Sequence, residues 1–407
     1  GLIGGYFRQE DEKGNTWRID GTVSRMLFDL YSNFTFFLND PVRGDGILQH
    51  DSRLQQSANV QHIRPHKLFG ATGLFTGGLN YADNQILTRL DGRVLRDPYE
   101  TRTKAQMRIH NGALYAQESL SFWDNRFTAL GGVRWEAFRY RINDQLDETN
   151  SSDQVSYLAQ PKAALGFTPF KKVPLTFSLN YGRSLTSIDA RSLLQNRNTP
   201  VVAKTDFYQF GIGYKIDRLV LSASTYWIDR SNELVYVADD NTFEFRGPTR
   251  SYGFETKAVF GITRFLSING NITKVSNAFF RNTDPREYID RAPHFTASSA
   301  LTLSNWKGWT SSLRFRAINN YLLDFSQPDI RAAGNSVFDF NMVRRITRNL
   351  DFNFSMDNVM DRDYLETQNL VTLRASRNGP ELDDIAATPG YPRTITVGFT
   401  FRFGKKE

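Results

Sequence analysis

The stretch Arg393-Thr394-Ile395-Thr396-Val397-Gly398-Phe399-Thr400-Phe401-Arg402-Phe403 decides the fold class. Ile395, Val397, Phe399, Phe401 and Phe403 alternate with Thr394, Thr396, Gly398, Thr400 and Arg402. Strict alternation predicts a β-strand with one apolar and one polar face. The preceding segment repeats it, with Leu350, Phe352, Phe354 and Met356 set against Asp351, Asn353, Ser355 and Asp357. Further back, Leu175, Phe177, Leu179 and Tyr181 alternate with Thr176, Ser178, Asn180 and Gly182. Around Tyr252, Phe254, Ala258 and Phe260 the pattern returns, with Thr256 and Val259 as exceptions. Few residues read as helix.

The connections carry a second pattern. After residue 110 they alternate between short (124–125, 170–173, 217, 263–264, 305–308, 347–348) and long (143–155, 187–205, 231–249, 281–293, 321–334, 360–392). By hairpin logic every second turn lies at the same end, so one end has tight turns and the other long loops. That asymmetry predicts an all-β fold: a transmembrane, antiparallel, up-and-down β-barrel with short periplasmic turns and long extracellular loops. Reading strands near 2–9, 14–26, 29–39, 47–63 and 68–86 brings the count to roughly eighteen, with the first strand running up if the last runs down. Two aromatic girdles are expected, Phe127, Phe170, Phe265, Trp306 and Trp309 near the tight turns and Phe138, Tyr140, Trp227 and Phe338 near the loops. A soluble protein of several β-sandwiches is the alternative, disfavoured by the alternating loop lengths.

Composition agrees. The chain has 407 residues with 14% aromatic, including 32 Phe and 17 Tyr, and 23% charged. Mean hydropathy is −0.46. No apolar run is long enough for a membrane-spanning helix. Absence of cysteine excludes disulfides and thiolate metal sites. The N-terminal GLIGGYFRQ has no initiator Met and no apolar leader, as expected of a chain after signal cleavage or of a segment of a longer one.

Tyr391-Pro392-Arg393-Thr394, leading into Phe401 and Phe403, resembles the closing strand of TonB-dependent outer-membrane receptors, which serves in barrel assembly. Asn358-Val359-Met360-Asp361-Arg362-Asp363-Tyr364 is similar to that family's N-L-F-D-x-x-Y stretch. Ser251-Tyr252-Gly253-Phe254-Glu255 resembles its S-x-G-x-E strand, and Arg291-Ala292-Pro293-His294 its R-x-P-x-H entry to a strand. Phe36-Phe37-Leu38-Asn39-Asp40-Pro41 also resembles a family stretch. The resemblance implies a barrel of about 22 strands around a plug. Residues 1–403 are therefore expected to be a partial barrel, without the plug and about the first four strands, and 404–407 a tail. The family's terminal aromatic is usually the last residue, whereas four residues follow Phe403.

The function that the resemblance implies is an outer-membrane receptor and active transporter for a scarce nutrient, foremost a ferric siderophore, energised through the TonB complex. The implied partners are TonB, the receptor's own plug, a small-molecule ligand such as a metal chelate, and lipopolysaccharide or other outer-membrane lipid. A complete eighteen-stranded porin-like passive channel is the alternative. Arg183, Arg191, Tyr321 and Arg331 are candidate ligand contacts, because aromatic and guanidinium groups suit anionic chelates. Lys257, Glu255, Arg314, Arg316, Asp351 and Asp357 are candidates for holding the plug.

No enzymatic chemistry or cofactor is expected: the sequence has no nucleophile elbow and no phosphate loop. His62 and His66 flank Arg64-Pro65 in an expected turn, where ordinary polar turn residues outweigh a metal site. Basic residues such as Arg134, Lys257, Arg314 and Arg316 are scattered along the polar faces of strands, so a nucleic-acid partner is rejected. Arg191, Arg197 and Lys204 in loops could meet lipid phosphates or an anionic ligand, against a default of plain solvation.

Overall fold

A computed structural model describes residues 1–187, 200–237 and 242–403. Its strands are β1 (Leu2–Glu10), β2 (Thr16–Ser32), β3 (Ile47–Leu68), β4 (Ala71–Val94), β5 (Asp97–Phe122), β6 (Phe127–Asp144), β7 (Ser152–Phe167) and β8 (Leu175–Ser187). There follow β9 (Val202–Ile216), β10 (Leu219–Arg230), β11 (Leu234–Val237), β12 (Thr242–Phe245), β13 (Thr249–Gly261), β14 (Leu266–Phe280), β15 (Phe295–Trp306) and β16 (Trp309–Ile318). The last are β17 (Tyr321–Leu322), β18 (Arg331–Ala332), β19 (Asn335–Arg345), β20 (Leu350–Asp357), β21 (Leu365–Leu373), β22 (Leu382–Pro389) and β23 (Thr394–Phe401). Seventeen strands form one sheet in which each pairs antiparallel with the next. The pairs β11–β12, β17–β18 and β21–β22 are separate hairpins inside the long connections.

Two expectations about the strands differ from the structure. The stretches read as strands 14–26 and 29–39 are one strand, β2, followed by a loop. Arg25 and Asp29 on the outward face, and Met26, Phe28 and Leu30 on the inward one, break the alternation without breaking the backbone ladder, which runs without a shift from Thr16↔Ile63 to Ser32↔Ile47. The main sheet therefore has an odd number of strands, and β1 runs in the same direction as β23, toward the tight-turn end. No pairing joins these two edges among the described residues. The second correction concerns His62 and His66. Both lie in β3, which continues through Pro65. His62 packs its ring 4.5 Å from that of Trp17, and His66 faces Glu118 at 3.4 Å.

Alternation sorts the side chains as read from the sequence. Leu79, Leu114 and Trp135 share one register row and are each more than half exposed on the outward face. Outward Phe352 packs 5.5 Å from Phe399. On the opposite face Asn353 donates to Thr400 Oγ1 at 2.9 Å, and Arg402 pairs with Asp351. Phe138 and Tyr140 depart from the girdle expectation. They project inward and are buried with Ile86, Met107, Ile142 and Val201, because the segment after residue 199 folds onto the inner face there.

Gly253 shows why one strand needs glycine. The register between β13 and β14 shifts at Tyr252/Gly253. A Cβ at Gly253 would lie 2.0 Å from the Lys274 carbonyl oxygen and 2.7 Å from the Tyr226 hydroxyl. The bulge brings a neighbouring backbone too close for any side chain.

Candidate ligand-binding mouth

The long connections fold over one another at one end of the sheet. The loop after β2 meets the hairpin β21–β22 through a parallel bridge between Phe36 and Arg374. Phe37 N–H donates to the Arg374 carbonyl at 3.0 Å, and Arg374 N–H to the Thr35 carbonyl at 3.2 Å. These loops stem from strands near opposite edges of the sheet, so the wall is curled round.

Asn358 organises the last loop. It is buried. Its Nδ2 donates to the carbonyls of Arg362 (2.8 Å) and Tyr391 (3.0 Å), and its Oδ1 accepts from Arg362 N–H at 3.0 Å. Its own N–H donates to Asp339 at 3.1 Å. Asp361 accepts from Arg393 N–H at 3.1 Å. Gln368 works similarly as a peptide mimic, accepting from Ala333 N–H at 2.9 Å and donating to its carbonyl at 3.0 Å. This docks β21 over Leu323, Ala332 and Leu370, which form a small buried cluster.

The inner face below carries paired charges. Arg134 pairs with Glu136 at 2.9 Å. Arg314 and Arg316 share Asp339 at 3.2 and 3.4 Å, and Arg345 reaches Asp351 at 3.8 Å beside Arg402. Arg316 also donates to the Tyr364 hydroxyl at 3.0 Å and faces Glu366 at 3.3 Å.

The candidate contacts are not gathered into one site. Arg183 sits where β8 parts from β7, whose pairing with it ends at Lys162↔Gly182. Its guanidinium grips Asp206 at 2.8 and 3.0 Å, and Tyr181 donates to the same carboxylate. Arg183 also lines a cavity of about 530 Å³ with Tyr115, Arg134, Gln160 and Lys162. Tyr321 packs against the Leu323 cluster. Arg331 is exposed on β18. Burial, helped by the charges of Lys274 and Arg331, pushes the His294 imidazole below its ordinary pKa. Arg191 and Arg197 lie outside the described residues. Burial pushes Asp290, in the loop before His294, above the usual carboxylate range, with Arg291 opposing and Asp324 reinforcing the shift. Among the described residues no cluster of three or more His, Asp or Glu is arranged to hold a metal ion.

The family model described as "TonB dependent receptor-like, beta-barrel" matches residues 4–359. The chain belongs to this family. It is an outer-membrane β-barrel wall. Over 193 residues, 46% of this chain, it is 25% identical to the catecholate siderophore receptor Fiu of Escherichia coli K12. That alignment spans 24% of Fiu's length. The crystal structure of Fiu in its closed form superposes with TM-score 0.77 at 16% identity, covering 99% of this chain and 64% of Fiu. The ferric citrate transporter FecA, unliganded, gives TM-score 0.78 at 16% identity, covering 99% of this chain and 61% of FecA. The copper transporter OprC gives 0.75 at 16%, covering 98% and 64%. At these identities the superpositions establish the fold.

Three of the TonB-dependent receptor motifs read in the sequence have a visible physical task. The N-x-x-D-x-x-Y residues knit the two stems of the last loop. Gly253 admits the bulge. Arg291, at positive φ, donates its N–H to the Leu322 carbonyl at 2.7 Å and so ties two loops together. Of the partners of Arg316, Tyr364 is visible in the sequence only as the last residue of the motif, and Glu366 carries no signal there.

Proposed function

We propose that this chain forms most of the wall and mouth of an outer-membrane receptor that takes up a scarce nutrient, foremost a ferric siderophore-type chelate, with energy drawn through TonB. Family membership, the sequence match to a catecholate siderophore receptor and the near-complete fold correspondence to ferric-chelate receptors carry this reading. The same observations favour a receptor over an eighteen-stranded passive porin, and binding and transport over catalysis.

In this reading the wall surrounds a plug. Lys257, Glu255, Arg314, Arg316 and Asp357, with Asp351 less available because Arg402 and Arg345 already engage it, face it from the inner side. Arg331 is the strongest remaining candidate for an anionic ligand, because it is exposed at the mouth and among the described residues no carboxylate pairs with it. Arg183 acts through its hold on Asp206, and Tyr321 through packing. Backbone groups at an open edge are not tolerated in lipid. Since β1 and β23 run in the same direction, antiparallel closure takes an odd number of further strands, not four.

The test compares uptake of a panel of labelled ferric chelates by the full-length protein and by residues 1–407, in cells lacking the native receptor, with and without TonB. Saturable uptake by the full-length protein that is lost without TonB is the expected result. The 407-residue segment is expected to give passive leakage at most. TonB-independent, non-saturable passage through the full-length protein would establish the porin reading instead.

A further inference from the structure

The outward face changes character abruptly along β4 to β7. Two register rows, Leu79↔Leu114↔Trp135↔Ala159 and Tyr81↔Gly112↔Ala137↔Tyr157, are apolar or aromatic. The next two toward the long-loop end are Asp83↔His110↔Arg139↔Val155 and Gln85↔Arg108↔Arg141↔Asp153. The last row continues through Leu54 of β3 to Arg25 of β2. All these residues share the face that carries the lipid-exposed Leu79, Leu114 and Trp135. The cations therefore begin where the apolar band ends, beyond Tyr81 and Tyr157, at the depth where headgroups of the surrounding leaflet lie.

Three arginines here share two carboxylates, and a fourth, Arg25, pairs with none among the described residues. Arg108 holds Asp83 at 2.9 and 3.1 Å. Arg139 holds Asp153 at 2.6 Å, leaving Arg141 at 3.5 Å from the same group. The side chains of Arg108, Arg139 and Arg141 remain 48%, 46% and 49% exposed despite these pairs. Arg25 has a hydroxyl partner, Ser52 Oγ at 2.9 Å, and no carboxylate among the described residues. Arg25, Ser52, Gln85, Arg108, Arg141 and Asn143 line one cleft of about 480 Å³. Elsewhere on the outward face Arg250 is matched by Asp229 across its register, at 2.7 and 2.9 Å, so the charge at that position is compensated.

We propose that this cleft binds the phosphate of a phosphorylated glycolipid headgroup in the outer leaflet. Guanidinium groups match phosphate oxygens in bidentate geometry, and the amide and hydroxyl groups of Gln85, Asn143 and Ser52 suit sugar hydroxyls. A cation on this face, beside the apolar band, meets the membrane interface and not the lumen. The proposal rests on the outer-membrane placement of the wall and is independent of which ligand passes through it.

Native mass spectrometry of the full-length protein in detergent tests it, with bisphosphorylated lipid A, its dephosphorylated form and inorganic phosphate as probes. The wild type is expected to retain bisphosphorylated lipid A in preference to the dephosphorylated form. Arg25→Gln with Arg141→Gln should weaken that binding about thirtyfold, and Arg25→Gln alone about fivefold. Arg250→Gln, which removes the same charge from a compensated position, should leave it within about twofold. Equal retention of the dephosphorylated lipid, or unchanged binding in both Arg25 variants, overturns the proposal. So does displacement of the lipid by inorganic phosphate alone. Should the double variant fail to fold, as judged by its thermal melt, the single variant decides.

Discussion

Asn358 and Tyr391 are 33 positions apart and joined by one hydrogen bond, from Asn358 Nδ2 to the Tyr391 carbonyl at 3.0 Å. It closes the stem of the last loop, from which β20 descends on one side and β23 on the other. Replacing Asn358 by Ala leaves that carbonyl, the Arg362 carbonyl and the Arg362 N–H without their buried partner. Each orphaned group costs about 1–3 kcal/mol, so Asn358→Ala is expected to destabilise the folded barrel measurably. Denaturant unfolding in lipid would check this, with Asn358→Asp, which keeps the acceptor and loses both donations, falling between Ala and wild type.

Phe399 and Thr400 are neighbours in β23 with opposite surroundings. Phe399 is two-thirds exposed on the outward face, while Thr400 accepts from Asn353 on the inner one. Phe399→Arg should cost about 2–4 kcal/mol near the bilayer midplane and Thr400→Arg far less. Reversible folding into vesicles measures both. Equal tolerance would refute the assignment of faces.

Gly253 and Gly112 separate glycines needed for space from those that are not. Gly253→Ala forces a Cβ against the Lys274 backbone and is expected to cost about 1–3 kcal/mol. Gly112 has nothing within 4 Å of its ideal Cβ, and Gly112→Ala should be neutral or slightly stabilising. Melting temperatures of the two variants give the comparison.

The burial of Asp290 sets the sign of the pH dependence expected of it. Its folded pKa lies above its ordinary value of 3.8, with burial the largest cause. The protonated form is thus the one the fold favours, and the contribution is fully present below pH 3.8 and lost as pH rises through the folded value. Asp290→Asn should therefore slow hydrogen exchange in residues 281–294 at neutral pH, relative to wild type at the same pH. That advantage should shrink as pH falls toward 3.8. A constant difference across the range would show that Asp290 is not the group responsible.

Most strands, their two faces and the asymmetry of the two ends are legible in the amino-acid pattern. Period-two alternation of Leu350–Asp357 and Thr394–Phe401 is a local property that the pleat converts directly into faces. The alternation of short and long connections is likewise local, although strands run on into the loops, as where the connection read as 143–155 narrows to 145–151. Local pattern failed where polar residues interrupt an unbroken ladder, as in β2, and where a loop covers the inner wall, as at Phe138 and Tyr140. Which distant groups meet is set by the folded sheet. That Arg183 is held by Asp206, that Arg316 reaches Tyr364, and that Arg25 shares a cleft with Arg108 and Arg141 depends on register and on how the loops fold back. These pairings join residues 23, 48 and more than 80 positions apart. No periodicity along the chain encodes them, because their energy is realised only once the sheet has brought the strands side by side.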